Sequence, residues 1–257
     1  MLRLTDISHH YGQTPVLDRV SLELPKGRVI CLVGPSGCGK TTLLHIAAGL
    51  FPPSGGEVTN HFRRIAVVFQ EPRLLPWRNT RDNIAFGLKA HGVVRAERRG
   101  IAERLGARLG LDEALDRYPH QLSGGMRQRA ALGRALAVEP ELLLLDEPFS
   151  ALDVGLRRDL QNLFLELIAE RGLAALFVTH DLTEAVRIGD EVMVLTPAPG
   201  RVVEHWQQSR SAPQRDPVYV YETVAHLLRV PAVADAFHVA ARGERVFIPR
   251  RPYAEPS

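Results

Sequence analysis

The sequence predicts an α/β fold with a largely parallel sheet, a small N-terminal antiparallel β subdomain and a helical insertion. Three observations lead there. Short apolar runs recur at Val29 to Val33, Ile65 to Phe69, Leu142 to Leu145 and Ala174 to Val178, as strands covered on both faces require. Segments of helical character separate them, as crossover connections between parallel strands demand. A glycine-rich turn follows the first of these strands and opens a helix. The 257 residues suit one large α/β domain, or a domain with a smaller appendage.

Residues 2–10 and 16–24 alternate loosely and read as two strands joined at Tyr11-Gly12-Gln13. Pro25-Lys26-Gly27 is a turn, and Val29 to Val33 is a buried strand. Leu43 to Ala48 is an apolar helix that Gly49 ends, and Pro52-Pro53-Ser54-Gly55-Gly56 is a loop. Residues 77–138 hold a mostly helical insertion, rich in Arg, Ala, Glu and Leu up to residue 120 and closing on a helix from Met126 to Val138. Then come a strand, Glu141 to Leu145, a helix, Val154 to Arg171, and a strand, Ala174 to Val178. Two further short strands are expected at Asp190 to Leu195 and Arg201 to His205. Residues 206–257 read as a C-terminal extension with a helix near Val218 to Leu228 and an Arg- and Pro-bearing end at Arg242 to Ser257.

With 45% apolar and 24% charged residues the chain can bury a real core. A formal net charge of +3 does not argue for nucleic acid. Cys31 and Cys38 are the two cysteines, too few for a disulfide framework. Met1 to Asp6 carries no signal-peptide core, and the most apolar stretch, Ala135 to Leu145, is broken by Glu139, Pro140 and Glu141. A cytosolic chain that reaches a membrane only through a partner is expected. His9-His10 is not read as a metal pair, because neighbours on a strand point to opposite faces.

Gly34-Pro35-Ser36-Gly37-Cys38-Gly39-Lys40-Thr41-Thr42 matches the phosphate-binding loop pattern in its proper place, between a buried strand and a helix. The glycines let backbone N–H groups turn toward phosphate oxygens, and the helix N-terminus adds its positive end. Lys40 would reach the β- and γ-phosphates and Thr41 would ligate Mg²⁺. Cys38, beside the phosphates, should be an alkylation target that ATP protects. Asp146 and Glu147 stand at the C-terminal end of an apolar strand, where open α/β sheets bind ligands. Asp146 suits the Mg²⁺-holding role and Glu147 that of the base that polarises water. Leu122-Ser123-Gly124-Gly125-Met126 places small residues at a helix N-terminus, a second anion cap. One nucleotide in one chain does not need two such caps, but two chains facing head-to-tail do.

These motifs, in this order, resemble the ABC transporter ATPase family over residues 1–205, a P-loop NTPase core. The resemblance makes Ser123 to Gly125 the signature motif, His180 in Thr179-His180-Asp181 the switch histidine at the γ-phosphate, and Ser150-Ala151-Leu152-Asp153 the D-loop facing the opposite subunit. It makes Gln70 the Q-loop glutamine that ligates Mg²⁺ and senses a permease, and Tyr11, with Val16, the side chain against adenine. It implies ATP and Mg²⁺, a homodimer, two integral-membrane permease subunits and, indirectly, an extracytoplasmic solute-binding protein, with the chain peripheral on the cytoplasmic face of the inner membrane. Gln70-Glu71-Pro72-Arg73-Leu74-Leu75-Pro76-Trp77, Asn83 to Leu88 and Pro199 to Glu204 are similar to the nitrate/sulfonate/taurine importer type. Its cargo would be a small oxyanion or a pyrimidine-type vitamin precursor. The alternatives are a soluble ABC ATPase of nucleic-acid or translation function, disfavoured by the single cassette without heptads, and an exporter subunit, which the motor motifs do not separate from an importer.

Overall fold

The structure is a computed structural model and describes residues 1–150 and 152–237. Ala151 of the D-loop reading and the segment Arg242 to Ser257 lie outside the described residues. In chain order the elements are β1 (Leu2–Tyr11), β2 (Thr14–Leu24), β3 (Val29–Val33), α1 (Lys40–Ala47), β4 (Gly55–Asn60) and β5 (Ile65–Val68). There follow α2 (Thr80–Ile84), α3 (Arg95–Arg108), α4 (Gly124–Ala137), β6 (Leu142–Asp146), α5 (Val154–Arg171) and β7 (Ala174–Thr179). The chain continues through α6 (Leu182–Ile188), β8 (Glu191–Leu195), β9 (Val202–Gln207), α7 (Pro217–Leu227) and α8 (Pro231–Ala236).

Two sheets form. The larger has the order β5-β6-β7-β3-β8-β9, parallel from β5 to β8 and antiparallel only between β8 and β9. The period-two alternation of its central strands splits the core in two. Leu143, Leu145, Ala175, Phe177 and Cys31 face the side covered by helices α4, α5 and α6. Leu142, Leu144, Leu176, Val178, Ile30 and Leu32 face α1 and the smaller sheet. All four leucines of β6 are fully buried, and each contributes about 1.5–3 kcal/mol by leaving water. This two-sided burial is why a run of leucines, rather than an alternating pattern, spells a strand here.

The smaller sheet is β2-β1-β4, antiparallel throughout. Its third strand corrects the sequence reading, which took residues 52–56 as loop and expected nothing at Gly55–Asn60. Strand propensity is poor there, and pairing with β1 overrides it. Gly56 sits at φ 89°, and a side chain at that position would lie 2.4 Å from the Thr5 carbonyl oxygen. The β1–β2 register also shifts at His9 and His10, whose rings lie nearly parallel with centroids 6.4 Å apart. Among the described residues no cluster of metal-ligating side chains forms.

Helices α2 to α4 fill the insertion between β5 and β6. Asn79 caps α2 by accepting from the Asp82 N–H, and Ser123 caps α4 by accepting from the Met126 N–H. The helix at Leu182–Ile188 was not anticipated; seven residues are too few to show a helical period, though its cap, Asp181, accepts from Thr183 and Glu184 N–H groups. Past β9, which runs two residues beyond position 205, the extension docks through Arg215. This buried guanidinium donates to the carbonyls of Arg187, Gly189 and Arg210 and to Asp190. Asp216 then caps α7, with Pro217 at its first position. Among the described residues no helix is long and apolar enough to cross a membrane.

Candidate nucleotide site

β3, β6 and β7 end at the same edge of the sheet, and the loops that leave them build one cleft. The turn after β3 is the glycine-rich segment 34–39. Gly39 caps α1 at φ 96°, and a side chain there would meet Leu17 at 2.6 Å and the Val16 carbonyl oxygen at 2.9 Å. Only glycine allows both the left-handed turn and this approach of the N-terminal sheet. Lys40 is 5% exposed. Its Nζ donates to the carbonyl oxygens of Gly34 and Pro35, each at 2.8 Å, so the cation is held over the loop by neutral acceptors that a phosphate can replace.

Asp146, 3% exposed, ends β6. It accepts from Thr41 Oγ1 at 3.1 Å. Burial pushes its carboxyl above the ordinary carboxylate range, partly opposed by the Thr41 bond, while the neighbouring Glu147 pushes the same way as burial. Glu147 takes a left-handed backbone, φ 44°, in which its N–H donates to the Val178 carbonyl at 2.9 Å. Its Oε2 lies 3.0 Å from His180 Nδ1 and 3.5 Å from Gln70 Nε2. Side chains from two other loops thus converge on one carboxylate oxygen.

A cavity of about 510 Å³ is lined by Tyr11, Val16, Ser36, Gly37, Gly39, Lys40, Thr41, Thr42, Gln70, Glu147 and His180. Tyr11 stands at its mouth, 55% exposed, its ring edge-on to His9 at 4.8 Å. Gly34 and Pro35 take part through the carbonyls that hold Lys40. Ser123, Gly124 and Gly125 do not line the cavity of their own chain. Cys38 corrects the expectation of a reactive thiol. It is fully buried in the core beneath the loop, its Sγ lies 3.7 Å from Lys40 Nζ, and burial raises its pKa against the opposing charge of Lys40.

Three groups around the cleft had no signal in the sequence. Arg134 of α4 donates to the carbonyls of Pro72 and Arg73 at 2.8 and 2.7 Å, and Gln128 of the same helix donates to the Phe69 carbonyl at 3.4 Å. The helix that Ser123 caps therefore grips the segment around Gln70. His45 of α1 packs edgewise on Phe51 and Phe69, and burial lowers its pKa while Asp146 raises it.

The family model described as ABC transporter matches residues 17–150. The chain is 46% identical over 211 residues to the taurine import ATP-binding protein TauB of Escherichia coli O157:H7, covering 79% of this chain and 83% of that one. It is 44% identical over 248 residues to the aliphatic sulfonates import ATP-binding protein SsuB 2 of Burkholderia cenocepacia (strain HI2424), covering 93% and 89%. The dimeric, post-hydrolysis structure of the ATP-binding cassette MJ0796 with ADP and Pi superposes at a TM-score of 0.75 with 30% identity, over 82% of this chain and all of that one. With a nucleotide-sized cleft floored by the Lys40 loop and closed by Asp146 and Glu147, and with relatives of this extent, the chain belongs to the ABC transporter family as one of its ATP-binding, ATP-hydrolysing subunits.

Proposed function

We propose that this ATPase powers an importer of small sulfonate-type oxyanions, as a homodimer on the cytoplasmic face of the inner membrane. The observation that carries the catalytic part is the convergence of His180 and Gln70 on Glu147, beside the Thr41–Asp146 pair. The import direction and the cargo class are supported by the taurine and aliphatic-sulfonate relatives. Residues 1–205 serve as the ATPase domain, with 77–138 as its helical subdomain and 206–257 as an extension.

In this reading Lys40 exchanges its loop carbonyls for the β- and γ-phosphates, and Tyr11 and Val16 face the adenine. Glu147 orients the attacking water and takes its proton; His180 holds the Glu147 carboxylate and faces the γ-phosphate. Thr41, Asp146 and Gln70 offer oxygen donors at the cleft floor, a set that fits Mg²⁺, which uses few protein carboxylates alongside phosphates. When bound, Mg²⁺ neutralises charge on the phosphates. Ser123, Gly124 and Gly125 cap the γ-phosphate in a second copy, since their own cleft excludes them.

The permease would dock beside the Gln70 segment. A groove of about 350 Å³ there is lined by Arg78, Arg81, Lys89, Arg95, Arg98 and Arg99, against the single carboxylate Asp82. Phe86 lies in it, and Trp77 nearby is 71% exposed. Such a groove suits an acidic cytoplasmic segment with an apolar anchor. Nucleic acid is not an expected partner. The test is to purify the tagged chain from detergent-solubilised membranes of its own cell and identify what accompanies it by mass spectrometry. A multi-span permease is expected, whose companion binding protein can then be screened with sulfonates by thermal shift. Soluble or nucleic-acid-bound partners alone would overturn the importer reading and leave the ATPase.

A further inference from the structure

The largest cavity described, about 730 Å³, lies between α5, α6 and the segment that leads into α7. One wall is apolar, with Leu165, Ile168, Ile188, Pro213 and Pro217. Three guanidiniums also line the cavity: Arg215, already held by Asp190 and backbone carbonyls, and two others, Arg158 of α5 and Arg187 of α6. Neither forms an ion pair among the described residues. Arg187 spends one Nη on Asn162 at 2.7 Å, and its Nε is buried without an acceptor. The two cations oppose each other: after burial, Arg158 is the cause that lowers the Arg187 pKa.

The carboxylates in the same cavity are committed elsewhere or stand apart. Asp190 receives Arg215 and the Val29 N–H, each at 3.0 Å. Asp216 receives the Tyr219 N–H at 2.8 Å as the cap of α7. Glu166 is exposed on α5 and forms no ion pair among the described residues.

We propose that this cavity is a binding site for a small organic anion, with the acid group between Arg158 and Arg187 and an alkyl or aryl body against the apolar wall. Two guanidiniums without a carboxylate partner are stabilised together by one anion, which supplies acceptors for both at once. The apolar wall is what distinguishes such a ligand from inorganic phosphate or sulfate. The extension closes the cavity, which assigns residues 206–217 a role that the ATPase cleft does not need. This site does not rest on the import reading.

The test uses the full chain with its nucleotide cleft filled by MgADP, so that the phosphate loop cannot take the probe. Hexane-1-sulfonate, inorganic sulfate and hexylammonium are titrated by calorimetry. Hexane-1-sulfonate should bind once per chain, sulfate at least about tenfold more weakly and hexylammonium not at all. Arg158→Gln, at an exposed position that leaves packing intact, and Arg187→Gln should each weaken hexane-1-sulfonate by about tenfold or more. No heat of binding in the unmutated chain would overturn the proposal. So would an affinity unchanged in Arg158→Gln, or sulfate binding as tightly as hexane-1-sulfonate.

Discussion

His180 Nδ1 stands 3.0 Å from Glu147 Oε2, a contact between the ends of neighbouring parallel strands. β6 and β7 lie side by side in register, with Asp146 opposite Val178, so Glu147, one residue past that pair, and His180, two residues past it, emerge at the same edge. His180 is thereby placed to hold the carboxylate by donating from Nδ1, which requires the proton to sit on that nitrogen.

Replacing Glu147 by Gln should lower ATP turnover by about 10²–10⁴-fold, the range for loss of a general base, and leave nucleotide binding in place. Steady-state phosphate release and nucleotide titration check the two halves. Glu147→Gly should lose the same turnover yet raise the Tm of the nucleotide-free chain relative to Glu147→Gln. The left-handed backbone at φ 44° costs a non-glycine residue about 1–2 kcal/mol, and glycine is spared it.

Lys40→Ala should abolish productive ATP use. The two carbonyls that Lys40 now engages would turn toward the incoming phosphates without a cation between them. Nucleotide affinity, read by fluorescence or calorimetry, should fall together with turnover. Normal hydrolysis in this variant would remove the phosphate loop from the mechanism.

Asp146 and Glu184 both have pKa values raised by burial, from ordinary values of 3.8 and 4.5. The folded chain therefore holds these protons more tightly than the unfolded chain. Between the ordinary and the raised values it binds more protons, so stability falls as pH rises through that window. Asp146→Asn keeps the acceptor for Thr41 and removes the buried charge. It should raise the Tm of the nucleotide-free chain at neutral pH by about 2–4 °C, the shift of roughly 1 kcal/mol in a chain of this size. Near pH 4 the gain should vanish. A lower Tm at neutral pH would show that the charged form is favoured instead.

Cys38 should resist alkylation in the native chain, because its thiol is buried and held protonated, and only the thiolate attacks. Mass spectrometry should find it modified rapidly only after denaturation, with or without ATP. Rapid labelling of the native protein would mean that the loop opens.

Arg134→Ala should lower stability by about 2–3 kcal/mol, since the carbonyls of Pro72 and Arg73 lose charged donors. Hydrogen exchange should rise first at residues 69–75, ahead of the rest of the chain. Uniform protection after the substitution would exclude Arg134 as the residue that positions this segment.

The sequence alone determined the α/β class, the apolar strands that make the parallel sheet, and most of the residues that line the cleft: a run such as Leu142 to Asp146 carries its burial and its acidic end in adjacent letters. Tertiary structure decided what adjacency cannot encode. β4 exists because β1 offers it an edge. The Cys38 thiol points into the core although its neighbours face the cleft. Arg134 and Arg215 are held by backbone carbonyls from distant segments, and carbonyls are the same in every residue. A partner of that kind leaves no trace in the sequence, so such contacts become visible only once the chain is folded.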